Sequence, residues 1–245
     1  MTHTFLLLAI IFVLLILSVW VLWRLSQPKY FYLIRHGETL LNKEHIKQGA
    51  DGALSEKGIE QAEAVGKALK DHGIQKILTS PYERAVQTAT IMQKALSCPI
   101  EINDLLRERK NASEVIGKKT DDPEVVRITS ATAYGYHENE YRFSDEENFT
   151  DLKIRARKCL RMLQGTWSRK VVVVTHHAFL QMLLSYITVG ESLHANDYVK
   201  MAYYNPAKNA GITLCVYHPH HGKFKATRGW EIVTYSQAVE FEAVS

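Results

Sequence analysis

The chain opens on an apolar run, Phe5 to Trp23, in which Ser18 is the one polar residue. About 19 helical residues at 1.5 Å each reach roughly 28 Å, close to the hydrocarbon thickness of a bilayer. The run therefore predicts a membrane-spanning helix. A removed signal peptide would start on basic residues and end at a small-residue cleavage site. This segment starts MTHT and ends VWVLWRLSQP, so a retained anchor and short linker over residues 1–29 are expected. Trp20 and Trp23 stand where interfacial aromatics belong. Arg24, Lys29 and Arg35 follow on the C-terminal side, which puts the rest of the chain in the cytoplasm by the positive-inside rule.

From residue 30 the pattern changes to short apolar runs alternating with helical periodicity. Tyr30 to Ile34 (YFYLI), Lys76 to Thr79, Ile100 to Ile102 and Val171 to Thr175 (VVVVT) read as strands buried on both faces. Between the first two, Ser55 caps a helix whose apolar stripe is Ile59, Ala62, Val65 and Leu69, ended by Gly73. Ser80-Pro81 predicts a cap and first-turn proline for a helix through YERAVQTATIMQKAL. Helices are also expected over Leu152 to Trp167 and from about Ala178. Ile212 to Tyr217 and Trp230 to Tyr235 read as a closing hairpin around HPHHGK. Alternating strand and helix imply an α/β three-layer sandwich with a mostly parallel central sheet. Residues 110 to 150 hold no clear strand and carry polar clusters, the mark of a small inserted lid.

Composition adds boundaries. The 245 residues, less the apolar start, suffice for one domain over residues 30 to 245. Lys and Arg number 30 against 26 Asp and Glu, interspersed rather than blocked, which argues against nucleic-acid binding. The 3 cysteines, Cys98, Cys159 and Cys215, are unpaired by spacing and read as core thiols of a reducing compartment. His218, His220 and His221 read as a polar turn, and no metal site is expected there. The run Asp145-Glu146-Glu147 reads as a solvated loop.

Arg35-His36, Arg84, Glu108 and His176 each fall at a predicted strand end or helix start, and such edges are where open α/β sheets bind ligands. Two arginines and two histidines converging there suit a tetrahedral dianion, because guanidinium groups grip phosphate oxygens bidentately and keep their charge.

LIRHGET (Leu33 to Thr39), Asn42, Gln48-Gly49, LSEKGIEQA, TSPYERAVQTA, VVTHHAFL (Val173 to Leu180) and the tails NAGIT and GWEIVTY resemble the histidine phosphatase superfamily, the phosphoglycerate-mutase-like family, from about Tyr30 to Tyr235. The resemblance implies phosphomonoester hydrolysis without metal or other cofactor. His36 would be the phosphoryl acceptor. Arg35, Arg84 and His176 would hold the phosphate oxygens. Asn42, Gln48 and Gly49 would shape the substrate mouth, and Glu108 would protonate the leaving oxygen. Phosphorylated small molecules or phosphoproteins would be substrates.

Two departures matter. His177 stands where the family motif continues with glycine, so it narrows the site or faces away from it. The mutase members carry an aromatic-glycine sequence after the acid, where this chain has Lys110-Asn111-Ala112, and this favours phosphatase over mutase. A phosphoglycerate-type mutase and an idle phospho-ligand-binding module at the membrane remain the alternatives.

Overall fold

The computed structural model describes residues 2–135, 138–204, 206–219 and 229–238. Helix α1 (Thr2–Ser26) leads almost directly into strand β1 (Lys29–Arg35). Then come the short α2 (Leu40–Lys43), α3 (Glu56–Leu69), β2 (Lys76–Thr79), α4 (Glu83–Leu96) and β3 (Ile100–Ile102). The second half holds α5 (Pro123–Gly135), α6 (Phe149–Gly165), β4 (Lys170–Thr175), α7 (His177–Val189), α8 (Ala195–Tyr204), β5 (Ile212–Tyr217) and β6 (Trp230–Ile232).

The six-stranded sheet runs β3-β2-β4-β1-β5-β6. β1, β2, β3 and β4 are mutually parallel, whereas β5 and β6 close the sheet antiparallel, so it is mixed and mostly parallel. The expected hairpin pairs Cys215 with Ile232. His218 bonds Glu231 at 3.1 Å, while His220 and His221 of the expected turn lie outside the described residues. The paired apolar strands β1 and β4 are covered on both faces. Phe31, Leu33, Val171 and Val173 pack with Leu152 and Leu160 of α6 and Leu180 and Leu183 of α7. Tyr32, Ile34, Val172 and Val174 pack with Val65 of α3 and Ala89 and Met92 of α4. All three cysteines are buried free thiols.

Two local expectations are corrected. Ile59 is 41% exposed, and α3 buries Gly58, Ala62, Val65, Gly66 and Leu69 instead. The reason is backbone proximity: a Cβ at Gly66 would sit 3.2 Å from Met92 Cα, so the two glycines set which side of α3 meets α4. Ser80 does not cap α4, whose N-cap is Tyr82 without a side-chain bond. The Ser80 hydroxyl is committed elsewhere, to Tyr82 N–H at 3.2 Å and to His176.

The expected lid contains α5 and a one-turn helix at Ser113–Val115, and it has its own small core of Ala112, Val115, Val125 and Ile128. Of its acidic run, Asp145 is exposed as expected, whereas Glu146 and Glu147 are buried. Glu146 is 1% exposed, and its carboxylate accepts from the amides of Phe143 and Ser144. Glu147 takes a bidentate pair from Arg155 of α6, at 2.7 and 2.6 Å. Arg155 also donates to the carbonyls of Leu105, Arg107 and Glu108 and stacks on Phe179 at 4.1 Å. One buried guanidinium thus joins the lid's end, the segment after β3, and α7.

At the other end of the chain, Phe5–Ser26 of α1 contains an 18-residue window with a mean hydropathy of 3.2, none of it buried against the body. By length and composition this helix can cross a membrane.

Truncating Arg155 to Ala leaves Glu147 charged and unpaired in the interior. The expected loss is about 3–5 kcal/mol, by analogy with other broken buried pairs. Urea denaturation measures it, and a loss under about 1 kcal/mol, the range of a surface pair, would contradict the buried-clamp assignment.

Candidate active site

Parallel register brings the chemistry to one sheet edge. Arg35 pairs with Thr175, so the residues that follow them, His36 and His176, leave β1 and β4 side by side. Their ring centroids lie 5.1 Å apart. The turn carrying His36 is packed backbone to backbone on the start of α3. A Cβ at Gly37 would lie 2.5 Å from Gly58 O, and one at Gly58 would lie 2.0 Å from Glu38 O. Only glycine fits either place. Ser55 caps α3 through Gly58 N–H at 3.1 Å and donates its own amide to Glu38 O at 2.9 Å. Thr88 accepts from Gly37 N–H at 3.1 Å and donates to Arg84 O at 2.7 Å, which ties the turn to α4.

His36 Nδ1 lies 2.7 Å from Gly37 O. A carbonyl only accepts, so Nδ1 carries the proton and Nε2 keeps its lone pair. Arg84 Nε donates to that nitrogen at 3.2 Å. His176 Nε2 meets Ser80 Oγ at 2.7 Å, while its Nδ1 is buried without a partner. Burial holds both imidazoles well below the usual pKa range. For His36, Arg84 and Arg35 add to the effect; for His176, it is His36, Arg84 and Arg35.

The guanidinium groups are held by backbone carbonyls. Arg35 Nη1 donates to Ala207 O at 2.7 Å, and its Nε is buried without a partner. Arg84 Nη1 donates to Gly49 O at 2.9 Å. Neither forms an ion pair with a described residue. Unsatisfied buried polar atoms are rare in native structures. Among the described residues, four of the seven such side-chain atoms belong to this region, Arg35 Nε, Gln48 Oε1, His176 Nδ1 and His177 Nδ1; the others are Arg157 Nε, Ser185 Oγ and Trp230 Nε1.

Glu108 reaches the same edge from behind. Its carboxylate accepts from the amides of Arg109, Ala178 and Phe179 at 2.8, 3.2 and 3.0 Å, at the N-terminus of the helix that His176 caps. The positive end of the helix dipole suits an anion there. Burial lowers the pKa of His177, Arg35 lowers it further, and Glu108 opposes the shift. Asn42 is engaged locally: its Oδ1 accepts from Thr39 N–H at 3.3 Å, closing a reciprocal cap on α2. Gln48 and Gly49 line a cleft of about 280 Å³ with Tyr82, Glu108, Arg109 and Ile116.

The structure therefore brings together Arg35, His36, Arg84, Glu108 and His176, with Gln48 and Gly49 at the mouth. Sequence reasoning missed the second layer. Ser80 orients His176, and Tyr82 packs its ring edge-on to His176 at 5.1 Å and beneath Arg84 at 5.1 Å. Asn209 holds His36 O at 3.1 Å, and Thr88 holds Gly37. Ser80 and Tyr82 were legible as residues just past the end of β2, on the same edge as the other groups. Thr88 and Asn209 lie within the motifs TSPYERAVQTA and NAGIT, but neither was singled out as a site residue.

Comparison with known proteins supplies the family. Residues 31–228 match the model of the histidine phosphatase superfamily (branch 1). The chain is 32% identical over 158 residues to the Erwinia tasmaniensis protein named "Probable phosphoglycerate mutase GpmB", covering 64% of this chain and 73% of that one. Among solved structures, a mycobacterial glucosyl-3-phosphoglycerate phosphatase in complex with VO3 superposes with a TM-score of 0.68 at 21% identity, over 85% of this chain and 99% of that one. The alpha-ribazole phosphatase of Shigella flexneri gives a TM-score of 0.67 at 18% identity, over 85% and 96%. At such identities the superpositions speak for the fold. The match across the strands and helices that carry His36, Arg84 and His176 makes this chain a member of branch 1 of the histidine phosphatase superfamily.

Proposed function

We propose that this chain hydrolyses phosphomonoesters through a phosphohistidine on His36. The observation that carries the reading is the state of that imidazole. Nδ1 is fixed by Gly37 O, and the unprotonated Nε2 faces Arg84 in a pocket whose two guanidinium groups outnumber the one carboxylate, Glu108, that acts on both. In this reading Nε2 attacks phosphorus in line, and the ester oxygen leaves. Arg35, Arg84 and the free Nδ1 of His176 take the equatorial oxygens, where charge collects in the transition state. Glu108 protonates the leaving oxygen and later takes a proton from the attacking water. Gln48 and Gly49 form the mouth, and Asn42 supports it through the α2 cap.

Phosphatase is favoured over mutase by Lys110-Asn111-Ala112 after Glu108, where mutases carry an aromatic-glycine sequence. The names of the fold neighbours, several of them phosphatases, lean the same way. A mutase is the second reading, favoured by the names of the 32%-identical relatives. We also infer that α1 is a single-pass anchor with the body on the cytoplasmic side, which rests on its apolar length and on the basic residues that follow it.

On p-nitrophenyl phosphate with EDTA present, His36→Ala is expected to lower kcat/KM by at least about 10³-fold, the scale of losing a nucleophile. Retained turnover would refute the mechanism. Inorganic phosphate release without isomer interconversion of phosphoglycerates separates hydrolysis from the mutase reading.

Burial of neutral His36 and His176 also predicts a pH effect on stability. As pH falls through the ordinary value of 6.5, the unfolded chain takes up protons at these positions and the folded chain does not, so stability declines. Each imidazole contributes roughly 1 kcal/mol per pH unit in that window. In thermal melts from neutral to mildly acidic pH, His176→Asn should decline less steeply than the parent; equal slopes would contradict the buried neutral state.

Protease added outside intact cells or spheroplasts should leave the body undigested, while digestion from outside would refute the cytoplasmic assignment.

A further inference from the structure

The route of the chain out of α1 sets which way the catalytic edge points. α1 ends at Ser26 and β1 begins at Lys29, so only Gln27 and Pro28 lie between them, a reach of about 7 Å. Such a link, stiffened by proline, keeps the start of β1 at the membrane end of the helix. From Lys29 to His36 the strand advances seven residues, roughly 23 Å at about 3.3 Å per residue. The root of the anchor and the candidate site are thus at opposite edges of the sheet.

The root edge has the surface chemistry of a bilayer contact. Trp167, in the loop between α6 and β4, is 59% exposed, unusual for the largest side chain on a polar body. Its loop is tied to the root itself. Lys29 Nζ donates to Gln164 O and Thr166 O at 2.5 and 2.6 Å, Tyr30 N–H to Arg169 O at 2.6 Å, and Arg169 Nε to Pro28 O at 3.3 Å. Lys29 is therefore a buried helix-end clamp, and Arg35 belongs to the site. The cations left for the lipid surface are Arg24, lying over Trp20 at 5.9 Å, with Arg169 and Lys170, neither of which pairs with a described carboxylate. Asp71 is the acidic residue of the adjoining turn, next to Lys70. An amphipathic indole beside cations that, among the described residues, bond only backbone carbonyls, Arg169 to Pro28 O and Lys170 to His72 O, in a loop tied to the root of the apolar helix, fits the interface of an anionic leaflet.

We propose that the edge carrying Trp167, Arg169 and Lys170 is a membrane-seated face, which turns the site toward the aqueous phase. The substrate is then a water-soluble phosphoester rather than the head group of a lipid in the anchoring bilayer. The proposal rests on the anchor and phosphatase readings above and deepens them.

The test uses the full chain reconstituted in phosphatidylcholine vesicles with and without phosphatidylserine. Trp167→Cys and Ser113→Cys are each labelled with an environment-sensitive dye; the native cysteines are buried, and Ser113 is exposed at the cleft mouth. The dye at 167 should be blue-shifted and shielded from an aqueous quencher, more so with phosphatidylserine, while the dye at 113 stays fully quenchable. Shielding at 113, or none at 167, would overturn the proposal. In the same vesicles p-nitrophenyl phosphate should be hydrolysed, and phosphatidic acid in the anchoring leaflet should release phosphate no faster than with His36→Ala. Hydrolysis of that lipid at the rate of the soluble ester would also overturn it. Extraction by alkaline carbonate would remove the proposal together with the anchor reading. If neither ester is turned over, the phosphatase reading and the substrate assignment fall, and the dye pair alone decides the seated face.

Discussion

Everything at the candidate site depends on how its cations are held. Arg35 and Arg84 are fixed by the carbonyls of Ala207 and Gly49, and neither pairs with a described carboxylate. A carbonyl orients a guanidinium without cancelling its charge. With two guanidinium groups against the single carboxylate of Glu108, whose charge acts on both, the pocket keeps a positive balance. Arg155 shows the alternative. It is about as buried as Arg84, but Glu147 grips it bidentately, and its work is structural. One residue type takes two roles, and the nature of the acceptor decides which.

The fold serves that pocket by supplying acceptors at fixed places. Parallel pairing of β1 with β4 delivers both histidines to one edge, and the following turns are locked by contacts that leave no room for a Cβ at Gly37 or Gly58. Held so, His36 loses any choice of tautomer, because Gly37 O demands the proton on Nδ1. Burial and the neighbouring charges act in the same direction and keep the second nitrogen unprotonated. Preorganisation of this kind places charge and lone pair before a substrate enters, which lowers the reorganisation needed during reaction.

How much of this was legible depended on whether the information was local. Continuous apolar runs marked β1 and β4, and the RHG and HH pairs just after them marked the site, because strand ends are readable from one window of sequence. The stripe on α3 holds at Ala62, Val65 and Leu69 and fails at Ile59, which fits the periodicity but is turned to solvent where Gly66 approaches α4 closely. Ser80 carried a cap signature, yet His176, far along the chain, claims its hydroxyl. In the acidic run near residue 146, Asp145 is solvated as read, but Glu147 is buried because its partner Arg155 is identified only by folding. Helix α8 had no strong signature and is held by tertiary contacts such as Tyr198 OH to Ala178 O at 3.2 Å. For Ile59, Ser80 and Glu147, a distant partner outweighed a local preference.

The central claim is that phosphorus passes through a covalent bond to one particular nitrogen. The direct measurement is rapid denaturing quench of the enzyme during turnover of a radiolabelled phosphoester, followed by mapping of the labelled peptide and of the substituted ring position. The account predicts an acid-labile, alkali-stable phosphoryl group on Nε2 of His36, formed and lost at least as fast as turnover. Label on His176, on Nδ1 of His36, or no covalent label during a demonstrated burst would contradict it.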